Sequence, residues 1–90
     1  MDSTKQLEIE DCRPVVKRFA VLMEQKLREK DPVHPNGWQY DRFTTLYKRM
    51  LEEAAEIIGA EGTNEQAMEC VAVANMAMML CDQCLWGIGK

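Results

Sequence analysis

Apolar residues recur along this chain at spacings of three and four, in three separate stretches. In the first, Cys12, Val15, Val16, Phe19, Met23 and Leu27 fall on one side of a helix, with charged residues between them. Pro14 suits the first turn, where its missing N–H does no harm, and Asp11 is placed to act as the N-cap. Asp31-Pro32 should end this helix at about Lys30, because a residue before proline avoids the helical region. The second stretch, about Asp41 to Ile58, carries Phe43, Leu46, Tyr47, Met50, Leu51, Ala54, Ile57 and Ile58 on one face. Gly59 to Gly62 should close it with glycine-based C-cap chemistry. Thr63-Asn64-Glu65-Gln66 then reads as a capping box, with Thr63 as N-cap, for a third helix from about Asn64 to Leu85.

The third helix breaks the amphipathic pattern. From Ala67 to Cys81 it is apolar on every side, and Glu69 and Asn75 are the only polar residues in the run. A helix apolar all round has to be covered all round, and two partner helices in a short protomer cover only part of it. The expected fold is therefore all-α, a three-helix protomer whose bundle is completed by dimerisation, with a tetramer as the larger option. Residues 1–10 read as a mobile polar lead-in, 11–86 as one helical domain, and 87–90 as a short tail. The run from Ala67 is shorter than the roughly 20 residues of a membrane span and carries Glu69, so no membrane is expected as a partner.

Composition sharpens this. Ninety residues with 47% apolar content support one packed domain. Residues 1–49 hold ten of the eleven Lys and Arg against eight acids, whereas residues 50–90 hold only Lys90 against seven acids. The acidic half wants cations, the first half can offer basic groups to an anion, and the net charge of −4 argues against bulk nucleic-acid binding. Four scattered cysteines behind a polar, acidic N-terminus fit a reducing, cytoplasmic setting better than a secreted disulfide scaffold. Cys81 and Cys84 form a C-x-x-C, but no second pair and no suitably spaced histidine joins them. Small buried hydrophobes is the better reading of these two than a zinc or redox role.

Candidate chemistry gathers on the second and third helices. Glu53 and Glu56 lie three apart and point the same way. Glu69, alone among apolar neighbours, should be paired, protonated or bound to a cation, because a bare buried charge is costly. Antiparallel packing of the two helices would bring the three carboxylates to one spot, the start of a divalent-metal site. Taken alone, Glu52, Glu53 and Glu56 would more often be a solvated edge. Trp38 and Tyr40, leaving a Pro/Gly-rich loop, can either stack on a flat ligand such as a nucleobase or pin the loop to the bundle, and the second reading is preferred. His34 in that loop reads as a solvated residue rather than a base.

The motifs E-E-A-A-E at Glu52–Glu56, Glu69 followed by Val73-Ala74-Asn75 and Met76-Ala77-Met78-Met79, and Gly37-Trp38 ahead of the second helix resemble the MazG-like all-α nucleoside triphosphate pyrophosphohydrolases. The likeness is to the short forms carried by bacteriophages, and it runs from about Val15 to Asp82. The family pairs E-x-x-E on one helix with E-x-x-D on the next; Glu53, Glu56 and Glu69 match, and Ala72 stands where the fourth acid belongs. The resemblance implies Mg²⁺, with Mn²⁺ as a substitute, held by Glu53, Glu56 and Glu69. It further implies hydrolysis of a nucleoside triphosphate to monophosphate and pyrophosphate, in the cytoplasm (the host's, if phage-encoded).

Beside that set, Glu52 is the candidate to hold or polarise the attacking water, with a solvated edge as its alternative. Asn75 can contact nucleotide or make an interhelical hydrogen bond. Lys48 and Arg49 can meet the phosphate tail or form plain charged surface. Alanine at position 72 implies weakened or abolished turnover, as an inactivating replacement of aspartate or as a natural binding-only variant. The competing readings are a non-catalytic nucleotide-binding module and a structural helical adaptor whose carboxylates are mere surface.

Overall fold

The structure is a computed structural model that describes residues 6–33, 37, 38 and 40–87. It is all-helical among these residues: a 3-10 turn at Ile9–Asp11, then α1 (Pro14–Lys30), α2 (Phe43–Gly59) and α3 (Thr63–Trp86). The three stretches with helical period became the three helices, with ends displaced by one or two residues. His34 lies outside the described residues.

The caps differ from the expected ones. Asp11 does not cap α1. It belongs to the preceding turn, where its carboxylate accepts from the Glu8 N–H at 3.1 Å, and Arg13 takes the N-cap position with Pro14 behind it. Gly62, not Thr63, is the N-cap of α3. Its φ of 91° lies in the region that favours glycine, so the chain turns into the helix one residue early. Gln66 is thereby freed from the capping box, and its side-chain N–H donates to the Ile57 carbonyl at 3.2 Å, one of the carbonyls that the end of α2 leaves unpaired. Helix α2 itself does not end on a positive-φ glycine, since its C-cap, Ala60, is extended.

Two ties set the direction of α3 against α2. Gln66 at the start of α3 meets the end of α2. Gln83, near the end of α3, donates to the carbonyls of Trp38 at 2.8 Å and Asp41 at 2.9 Å, just ahead of α2. The pair is therefore an antiparallel hairpin, as its short connection dictates. Helix α1 lies on α3 over a smaller contact and barely meets α2; Asn75 ties it down by donating to the Met23 carbonyl at 3.3 Å.

The core is small. Among the described residues only Leu46, Val71 and Leu80 are buried apolar side chains. The α2 face read as one stripe splits in two: Leu46, Met50, Ala54 and Ile57 turn inward, while Phe43, Tyr47, Leu51 and Ile58 are exposed. Cys70, Cys81 and Cys84 are exposed in the protomer too, contrary to the reading of Cys81 and Cys84 as buried. The surface area is 7322 Å² for 10.4 kDa, against roughly 5400 Å² for a folded monomer of that mass. The radius of gyration is 15.0 Å, against about 12 Å for a compact domain of this length.

At 24 residues α3 is long and apolar enough, by length and composition, to cross a membrane, because the full helix outruns the apolar segment on which the sequence reading was based. Three of its polar side chains are nonetheless hydrogen-bonded within the protein. Asn75 reaches α1, and Asp82 and Gln83 reach residues 38 and 41.

Candidate metal centre and cleft

Glu53 and Glu56 share a face of α2 because they are three residues apart, and Glu69 faces them from the second turn of α3. One carboxylate oxygen from each lies within 4.8 Å of the others. Three like charges that close raise each other's proton affinity, and the effect falls on Glu53. Its pKa is raised, first by a side-chain hydrogen bond with Glu69, then by burial, then by the charges of Glu69 and Glu56. Lys26, on α1, pulls it partly back. Glu69 is half-buried, and its Oε2 is enclosed without a hydrogen-bond partner. Glu69 therefore stands next to two other carboxylates with one of its own oxygens enclosed and unpaired.

The three side chains offer only carboxylate oxygens, and Glu69 has one oxygen, Oε2, that is buried and unsatisfied. Both features suit a hard divalent cation such as Mg²⁺, which takes a few carboxylates and leaves its other positions to water or phosphate. Glu53, Glu56 and Glu69 are the residues that would hold it.

The cluster opens onto a cleft of about 350 Å³ between α1 and the hairpin. Trp38, Arg49, Glu53, Glu56, Glu69, Ala72 and Asn75, all singled out in the sequence, line it. Lys48 and Glu52 do not, and both are exposed. Each sits about 100° around the helix from a neighbour that does line it. Lys26 and Lys30 line the cleft and escaped the sequence reading; their signal was the i, i+4 spacing of two lysines on the polar side of α1. On the other side of Glu56 and Glu69 an open depression of about 650 Å³ is lined by Asn64, Glu65 and Met68.

Trp38 is held by its indole N–H, which donates to Asp82 Oδ2 at 2.9 Å, and by Gln83 on its carbonyl. It pins the loop to α3, as the preferred reading had it, while one side still lines the cleft. Tyr40 is 78% exposed and does not line the cleft. Asn75 is 3% exposed. Its interhelical hydrogen bond to Met23 is formed, and because that acceptor is a carbonyl, the amide nitrogen is the atom facing α1. Its Oδ1 is buried with no partner. Compared with known proteins, the chain matches no family model, no curated protein and no solved structure.

Proposed function

We propose that this chain is a Mg²⁺-dependent nucleotide-binding protein of the MazG-like pyrophosphohydrolase type, with turnover weakened or abolished by Ala72. The observation that supports this most is the convergence of Glu53, Glu56 and Glu69 within 4.8 Å, at the edge of a cleft that also holds Arg49 and Trp38. In this reading the three glutamates hold the cation, Arg49 meets phosphate, and Trp38 offers a ring face to the base. The metal, when bound, would polarise phosphate oxygens and an attacking water. Glu52 was the candidate to hold that water; it is exposed and outside the cleft lining, so its position lends that role no support.

Ala72 lines the cleft one helical turn beyond Glu69. A methyl group there supplies no oxygen, so a water or second metal position beside Glu69 loses its anchor. Catalysis that rests on fixed geometry and charge placed in advance suffers most from such a loss. The same observation favours the second reading, a module that keeps the pocket, binds nucleotide and does not cleave it.

A second copy of the chain completes the bundle. The exposed apolar row Phe43, Tyr47 and Leu51, which repeats every four residues along α2, supports this.

The test is pyrophosphate release from ribo- and deoxynucleoside triphosphates by the chain as it stands and by Ala72→Asp. The aspartate form should gain Mg²⁺-dependent release of about a hundredfold or more. Silence from both, with Mg²⁺-dependent thermal stabilisation by nucleotide, selects the binding module. No metal or nucleotide response in either form rejects both readings.

A further inference from the structure

The basic side of the cleft comes from a helix to which the sequence assigned no role. Lys26 and Lys30 stand four apart on α1, one turn above the other, and Arg49 faces the same space from α2. Glu53 and Glu56, on the turns of α2 that follow Arg49, and Glu69 of α3 line the same cleft, as do Asp31 and Asp41. Lys26 is close enough to the glutamates to lower the proton affinity of Glu53, yet neither it nor Lys30 forms an ion pair among the described residues. Among the described residues the one salt bridge is Arg28 with Glu24, an exposed pair on α1 itself. Three cationic side chains thus border one cleft with no carboxylate locked to any of them.

Asn75 adds an independent observation. It is 3% exposed on the lining of the same cleft, and its amide nitrogen is spent on Met23. Its Oδ1 has no partner. A buried acceptor left bare is costly, so the site gains when an O–H or N–H donor arrives. A bare polyphosphate has only acceptors at neutral pH. The donor must therefore come from the body that carries the phosphates, as a sugar hydroxyl or the amino group of a base.

We infer that α1 supplies the phosphate-contacting side of this cleft. Lys26 and Lys30, with Arg49, receive the phosphates of a phosphoester whose hydroxyl- or amino-bearing body donates to Asn75 Oδ1. The inference rests on the metal-site reading, adds α1 to it as the wall that meets the phosphates, and replaces Lys48 by Lys26 and Lys30 as the lysines that do so. Two lysines and an arginine in one cleft with three glutamates also suit a metal–phosphate complex better than either ion alone: the acids hold the cation and the bases offset the excess negative charge.

Calorimetry on the full chain tests this with three probes: Mg²⁺ alone, inorganic tripolyphosphate with Mg²⁺, and a nucleoside triphosphate with Mg²⁺. Lys26→Ala/Lys30→Ala should weaken both phosphate probes by about tenfold or more. The same variant should leave Mg²⁺ alone unchanged or bind it more tightly, because a competing cation has gone. If the lysines merely balance the glutamates, tripolyphosphate binding will be unaltered, and that overturns the inference. Lys17→Ala, an exposed lysine of α1 outside the cleft, controls for loss of bulk charge, and an equal loss there also overturns it.

Asn75→Ala should weaken the nucleoside triphosphate more than tripolyphosphate, and equal loss of the two rejects the role given to Oδ1. Should that variant melt early, Asn75→Gln provides the second reading, since its amide keeps both a donor for Met23 and an acceptor, and it should spare nucleotide binding relative to alanine. Failure of the underlying metal reading looks different: phosphate probes that bind the unaltered protein equally with and without Mg²⁺ and with Glu53→Gln.

Discussion

The α2–α3 hairpin and helix α1 are built to different standards. The hairpin is joined at both ends by side-chain to backbone hydrogen bonds, from Gln66 to Ile57 and from Gln83 to Trp38 and Asp41. It contains all three buried apolar residues, Leu46, Val71 and Leu80. Helix α1 has no fully buried residue and is tied to α3 by one hydrogen bond, from Asn75 to Met23. The carboxylates sit on the hairpin and two of the three cationic groups on α1. Metal ligands need fixed geometry, whereas a wall that meets a phosphate tail through long lysines tolerates adjustment. The division of packing matches the division of proposed labour.

Core deletions on the two sides should break or sharpen that contrast most strongly. Leu46 is 1% exposed, and Leu46→Ala should cost about 2–5 kcal/mol, the range for deleting a fully buried leucine. Leu27→Ala on α1, where the leucine is only half-buried beside the cleft, should cost less than half as much. Urea denaturation at one fixed protein concentration gives both values. Equal losses would show that α1 is as integral as the hairpin.

A smaller effect is expected at the outer row of α2. Tyr47→Glu with Leu51→Glu places two charges on the face assigned to the second copy, and both residues are exposed in the protomer. Sedimentation should show the dimer dissociation constant rising by about a hundredfold or more. The inner face carrying Leu46 and Glu53 is left alone, so helix content should persist in the monomer. An unchanged assembly would mean that another surface, such as the exposed end of α3 at Leu85 and Trp86, is the one covered.

Helical period made the number and order of the helices readable, because each apolar face repeats every three or four residues along a local element. Glu53, Glu56 and Glu69 were readable for the same reason, once a short turn forced α2 and α3 to run antiparallel. What stayed hidden depends on rotation and on distant packing. Lys48 and Arg49 are neighbours in sequence that point about 100° apart around the helix, and nothing local says which of them reaches the cleft. Lys26 and Lys30 looked like ordinary solvated residues until α1 was laid against α3. The hold of Asp82 on Trp38 spans a sequence separation that no motif encodes. The caps were misread because a glycine with positive φ at position 62 moved the start of α3 by one residue and gave Gln66 a different acceptor.

The finest test concerns charge within the hairpin itself. The Glu53 carboxyl in the folded protein holds its proton more tightly than the ordinary value of 4.5, chiefly through its hydrogen bond with Glu69 and then through burial. In the unfolded chain that advantage disappears. The group therefore contributes stability that is fully present below 4.5 and is lost as pH rises through the raised folded value. Above that window the metal-free protein carries crowded ionised carboxylates that repel one another.

Glu53→Gln removes one charge and keeps a donor for Glu69, so without metal it should raise stability at neutral pH by less than about 1 kcal/mol. It should also flatten the dependence on pH across the window. Added Mg²⁺ should reverse the ranking, stabilising the glutamate form and leaving the glutamine form behind, with metal affinity of the glutamate form rising as pH climbs and protons cease to compete. Thermal melts of both forms from mild acid to neutral pH, with Mg²⁺ and with chelator, read all of this at once. Parallel curves for the two forms would show that Glu53 and Glu69 do not share a proton, and a ranking that Mg²⁺ leaves unchanged would remove Glu53 from the ligand set.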